Sequence, residues 1–93
     1  MNLKFEWDER KAASNLKKHR VSFSEASTIF DDLWFITFLD EEHSTDEDRY
    51  ITIGLSNRNR LLLVAHTDWV GQIRIISARK ATNNEREFYE DGL

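Results

Sequence analysis

"RYITIGLSNRNRLLLVAHT" (residues 49–67) consists of two apolar runs around a polar turn, and the length of that turn decides the fold. Both runs carry the β-branched and aliphatic residues of strands, so together they read as a hairpin. A three-residue loop with a bulge puts Asn59 in the left-handed region, which asparagine tolerates, and pairs Ser56 with Arg60. Ile51, Ile53 and Leu55 then line up with Ala65, Leu63 and Leu61 on one face, while Tyr50 meets His66 on the other. A two-residue loop at 58–59 would set His66 opposite Ile51 on the core side, because a slip of one residue exchanges the faces. The bulged loop is expected here.

Toward the C-terminus, "QIRIISA" (72–78) supplies a third strand after a short connection, so an antiparallel meander follows. Simple alternation puts Ile73, Ile75 and Ser77 on one face and Arg74, with Gln72, on the other; Arg79 falls where strand gives way to helix. Thr82-x-x-Glu85 is a capping box opening a helix to about Glu90, which Gly92 can close. Toward the N-terminus, "DEEHSTDED" (40–48) reads as a mobile polar loop. "LWFITFL" (33–39) is apolar on both parities and reads as a strand covered on both faces.

"LKFEW" (3–7) alternates as a half-buried strand, and Asp8 can cap a helix running through Arg20. On that helix Ala12, Ala13 and Leu16 form the apolar stripe, with Arg10, Lys11, Lys17 and Lys18 opposite and His19 at the stripe's edge. Ser22-x-x-Glu25 is a second capping box, with Val21 placed to pack on Ala26, for a short helix that stops near "FDD" (30–32). The expected order is β-α-α-β-β-β-β-α. This is an α+β fold with a mainly antiparallel sheet, N-terminal helices and a C-terminal helix packed on it.

The 93 residues suffice for one hydrophobic core, so residues 1–93 are expected to form one domain. Eleven aromatic residues and 40% hydrophobic residues supply its interior. Cysteine is absent, which removes disulfides and thiolate zinc sites. No apolar run suits a signal peptide or a membrane span, so a cytoplasmic protein without a membrane partner is expected. The net charge of −4 argues against a nucleic-acid partner until its distribution is drawn. Residues 1–20 carry +3, 21–39 carry −3, 40–49 carry −5, 50–80 carry +4 and 81–93 carry −3. The charge comes in blocks.

Two guanidiniums, Arg74 and Arg79, beside His66 on a neighbouring strand suggest a cradle for phosphate, since arginine presents a planar fork and keeps its charge. The commoner meaning of the pattern is plainer: arginines paired with acids such as Glu85 or Glu87, and a histidine satisfied within the sheet. His19, His43 and His66 lack ligand spacing, and "DEEHSTDED" lacks the glycine of a calcium loop, so neither a metal nor a cofactor is expected. The basic side of residues 10–18 is either a solvated face or a groove wall for RNA or an acidic partner.

Taken in order, "KFEWDERKAASNLKKHRVSFSEA", "FDD", "EEHSTDEDRYITIGLSNRNRLLLVAHT" and "IRIISARKATNNEREFYE" resemble the BrnT toxin family over nearly the whole chain. The resemblance implies a RelE-like ribonuclease fold. It also implies a toxin of a type II toxin–antitoxin pair that cleaves RNA and halts translation, held inactive by a ribbon-helix-helix antitoxin of the BrnA type. The complex of the two would bind its own promoter DNA. The positions it marks as site candidates are His19, Arg49, His66, Arg74 and Arg79. RNA brings its own nucleophile, the 2′-OH, so a cut without metal needs only alignment, proton transfer and charge stabilisation. Arg74 and Arg79 would hold the phosphate, with His66 or His19 moving the proton and Tyr50 assisting. The alternative is a module without catalysis, acting with its antitoxin as a promoter-binding repressor; a purely structural subunit is the third.

Overall fold

The computed structural model describes residues 3–92. Its elements are β1 (Phe5–Glu6), α1 (Glu9–His19), α2 (Phe23–Ser27) running into a 3₁₀ turn (Thr28–Asp31), β2 (Ile36–Leu39), a second 3₁₀ turn (Glu41–His43), β3 (Arg49–Leu55), β4 (Leu61–Trp69), β5 (Gln72–Lys80) and α3 (Asn83–Asp91). The strands form one five-stranded sheet in the order β1-β5-β4-β3-β2, antiparallel except for β1 beside β5. No helix of the described residues is long and apolar enough to cross a membrane.

The β3–β4 hairpin has the expected register. Asn59 takes φ 60°, the Ser56 amide donates to the Arg60 carbonyl at 2.8 Å, and Tyr50 lies opposite His66. Between β4 and β5, Val70 and Gly71 both have positive φ, which makes a two-residue turn whose twist suits the strands and sets Trp69 opposite Gln72.

The sheet separates two cores. On one face α1, α2 and the first 3₁₀ turn enclose Val21, Phe23, Ala26, Ile29, Leu62, Val64, Ile75 and Ala78. On the other α3 lays Tyr89 over Ile53 and Leu61, with Ile36, Ile51 and Leu63 beside them. Asp32 ties α3 to this assembly by accepting from the Tyr89 hydroxyl at 2.6 Å and the Leu55 amide at 2.9 Å. Burial and the Asp32 carboxylate together push the Tyr89 phenol up to about 12.

Several expectations change on folding. Simple alternation along 72–78 fails because β5 carries a bulge: Ala65 pairs with Ser77 and His66 with Ile75, leaving Ile76 as the extra residue. Ser77 and Arg79 therefore share the face of Arg74, and Ile75 points to the opposite core. The buried side of α1 also differs from the apolar stripe, since Asn15 is 7% exposed while Leu16 is 48% exposed. The Asn15 side chain donates to the Ala78 and Val21 carbonyls at 2.8 and 2.9 Å and accepts from the Ala78 amide at 3.1 Å. It hydrogen-bonds the β5 backbone as a strand would, past the point where β1 ends.

Residues 33–39 are not covered on both faces. Only Ile36–Leu39 form a strand, at the sheet edge, with Leu33 88% and Trp34 58% exposed. The capping box at Thr82 is complete, whereas at Ser22 only half forms. The Glu25 carboxylate turns inward instead, accepting from Ser56 Oγ at 2.7 Å and Arg60 Nε at 2.9 Å and also contacting Arg60 Nη2. The Arg60 hydrogen bonds hold this carboxyl below its usual range despite burial.

Candidate active site

Beyond the reach of α3, a row of side chains crosses the second face of the sheet. Arg49 on β3 lies directly opposite Thr67 on β4, Thr67 opposite Arg74 on β5, and Arg74 opposite Glu6 on β1. Residues paired in this way point to the same side of a sheet. With strands about 4.8 Å apart, the backbones of Arg49 and Arg74 stand roughly 10 Å from each other, so two long cationic side chains flank one threonine.

Arg49, Thr67 and Arg74 line a cleft of about 180 Å³ together with Lys11, Asp8, Glu47, Ile75 and Ile76. Lys11 reaches it because Asn15 fixes α1 along the open edge of β5. A second cleft continues along that edge, lined by Lys11, Lys18, His19, Ile76 and Ser77. Lys11 and Ile76 line both, so the two make one groove with Arg49 and Arg74 toward one end and His19 toward the other.

Arg74 is held but not locked. Its Nε lies 2.9 Å from Glu6 Oε2, both side chains being about a third exposed, and its guanidinium sits 4.4 Å from the Trp69 ring centroid. Such half-exposed contacts contribute about 1 kcal/mol each, so an incoming phosphate can compete with them. Thr67 is 2% exposed, and its hydroxyl has no hydrogen-bond partner among the described residues.

The sequence candidates divide between two faces and two ends. Arg49 and Arg74 come together, and His19 lies further along the same groove. Arg79 shares their face but stands five residues from Arg74 along β5, where Nη1 and Nη2 donate to the two Glu85 oxygens at 2.8 and 2.9 Å. Those hydrogen bonds raise the Arg79 pKa and lower that of Glu85. His66 lies on the opposite face, 5% exposed, between Phe30 and the stacked ring of Tyr50. Its Nε2 is 2.7 Å from Thr52 Oγ1, which in turn is 2.7 Å from Thr37 Oγ1. Burial drives this imidazole down to about 4, against the opposing influence of Asp68. His66 and Tyr50 thus do not share a cleft with Arg74.

Two groove residues, Lys11 and Thr67, were not among the sequence candidates, nor was Trp69, whose ring stacks on Arg74. Lys11 was visible only as part of a basic helix face. Thr67 had a signal, since the hairpin register that pairs Tyr50 with His66 also pairs Arg49 with Thr67.

A family model described as "Ribonuclease toxin, BrnT, of type II toxin-antitoxin system" matches residues 7–85, a span that holds every element except β1 and all but the first turn of α3. Among solved structures the chain is similar to the ribonuclease toxin BrnT of Brucella abortus, with a TM-score of 0.66 and 26% identity over 88% of this chain and 100% of that one. A comparison with curated proteins finds no match. Sequence and fold agree along most of the polypeptide, and the chain belongs to the family of BrnT ribonuclease toxins of type II toxin–antitoxin systems.

Proposed function

We propose that the chain, acting as one domain with a RelE-like fold, is a cytoplasmic endoribonuclease that cuts RNA without a metal and so arrests translation. The observation that carries this reading is the pair of arginines, Arg49 on β3 and Arg74 on β5, abreast on either side of β4 in one groove with Lys11. The RNA strand lies along the groove with its scissile phosphate between the two guanidiniums. The 2′-oxygen attacks phosphorus in line, the bond to the 5′-oxygen breaks, and the extra charge on the phosphoryl oxygens is met by cations already in place. The 2′-hydroxyl proton passes to the departing 5′-oxygen by way of solvent, because His19, half-buried toward the other end of the groove, lies roughly 12 Å along α1 from Lys11 and meets the flanking RNA strand instead. His66 supports the sheet from its other side, and Arg79 fixes α3. A ribbon-helix-helix antitoxin of the BrnA type neutralises the activity, and the two proteins together bind their promoter.

Purified protein should cleave single-stranded RNA in the presence of a chelator, and Arg49→Ala and Arg74→Ala should each lower kcat/KM by about a hundredfold or more. Induction of the wild-type chain alone should stop growth, and Arg74→Ala should relieve the arrest. Intact RNA after prolonged incubation with soluble wild-type protein would refute the reading.

A further inference from the structure

We propose that the Thr67 hydroxyl is a third donor to the bound phosphate, completing a seat formed with Arg49 and Arg74; this rests on the ribonuclease reading. Thr67 stands between the two arginines in direct register with both. Its side chain is buried, yet its oxygen has no partner among the described residues. The neighbouring buried threonine behaves differently, since Thr52 Oγ1 meets both Thr37 Oγ1 and His66 Nε2 at 2.7 Å. A buried hydroxyl without a partner weakens a fold, so an acceptor from outside the chain is the natural complement.

The flanking residues define that acceptor. Guanidiniums only donate, so neither Arg49 nor Arg74 can accept the threonine proton. Donors on three adjacent strands are satisfied together by a group with several acceptor oxygens and negative charge, which a phosphodiester supplies. Thr67 lines the clefts on both sides of Arg49, so it lies at the centre of the polar floor and not at its margin. In the free protein Glu6 rests against Arg74 Nε at 2.9 Å, and its carboxylate takes the place of an anion at that end of the row. RNA binding exchanges this carboxylate for phosphate oxygens and opens a path to the Thr67 hydroxyl. The hydroxyl then hydrogen-bonds a non-bridging oxygen and fixes the phosphorus against the sheet.

The test uses Thr67→Val, Thr67→Ser and Thr67→Ala in the full chain. Cleavage of an unmodified RNA, and the Kd for a 2′-O-methyl RNA oligonucleotide that cannot be cut, are measured beside the Tm. Thr67→Val and Thr67→Ala should lose about ten- to a hundredfold in kcat/KM while Thr67→Ser stays within about threefold of wild type. The Tm of Thr67→Val should be no lower than that of the wild type, because valine removes an unpaired buried hydroxyl at constant shape. Binding of the uncleavable RNA should weaken in the same order as cleavage. Wild-type rates in Thr67→Val, with cleavage still lost in Arg49→Ala and Arg74→Ala, would overturn the inference and leave the ribonuclease reading standing. Equal losses in the Ser and Val variants would also overturn it, by pointing to packing. Absence of cleavage by wild-type protein would remove both.

Discussion

Two histidines that look alike in the sequence differ in what surrounds them. His66 sits under the sheet with its imidazole driven down to about 4 from 6.5, burial being the main cause. The unfolded chain takes up this proton near pH 6.5 and the folded protein only near 4, so the unfolded state binds more protons between those values. Stability is therefore complete above pH 6.5 and is lost as pH falls toward 4, by up to about 3 kcal/mol. Thermal unfolding at pH 7 and pH 4.5 should show a fall in Tm on the order of 10 °C for the wild type. In His66→Gln, which cannot titrate, most of that fall should vanish, and an equal fall in both proteins would refute the assignment. Arg79 gives the complementary test. Its bidentate contact with Glu85 joins β5 to α3, so Arg79→Ala should cost roughly 1 kcal/mol after allowance for solvent screening, measured by denaturant unfolding. RNA cleavage by that variant should stay within about threefold of wild type, because no phosphate is assigned to Arg79.

At the scale of elements, one amide ties α1 to the edge of β5. Asn15 makes three hydrogen bonds, two of them to the Ala78 backbone on the strand edge. Asn15→Ala leaves those backbone groups without partners in a buried place and should cost about 3 kcal/mol by urea unfolding. It should also weaken RNA binding, since Lys11 and His19 enter the groove only on a helix held against β5. The bulge at Ile76 acts on β5 in a similar way, by placing Arg74, Ser77 and Arg79 on one face. Both devices evade a reading by pattern. An asparagine on a helix scores as polar surface, and a bulge leaves little mark when its extra residue, Ile76, simply follows another isoleucine. The strand ends and caps were legible because they depend on neighbours close in the chain: Asn59 in the turn, Asp8 and Thr82 at the helix starts.

For the whole molecule, the charge blocks explain how a chain of net −4 can offer a cationic groove. The basic blocks, 1–20 and 50–80, contain α1, β4 and β5, whose Lys11, Lys18 and Arg74 line the groove, and Arg49 is the one base of the acidic block 40–49. The acidic blocks otherwise contain α2, β2 with its flanking turns and loops, and α3. Binding through Lys11, Arg49 and Arg74 neutralises about three phosphates, so log Kd for single-stranded RNA against log salt should have a slope of about 2. Fluorescence anisotropy between 50 and 300 mM salt measures it, and Arg49→Ala should lower the slope by about 0.7. A slope near zero in the wild-type protein would show that this groove does not hold the RNA backbone.

The chain by itself determined what depends on short range: the alternation that makes strands, the capping residues that start helices, the turn length that pairs Tyr50 with His66 and Arg49 with Thr67. It also carried the family resemblance and most of the element boundaries. Only the tertiary structure decided which candidates share a site. Arg74 joins Arg49, His66 turns to the far side, and Arg79 closes on Glu85. The physical reason is that membership of a site depends on which face of the sheet a side chain leaves by and which helix lies over that face. A single extra residue in a strand, or a single buried amide on a helix, changes both without altering any local pattern.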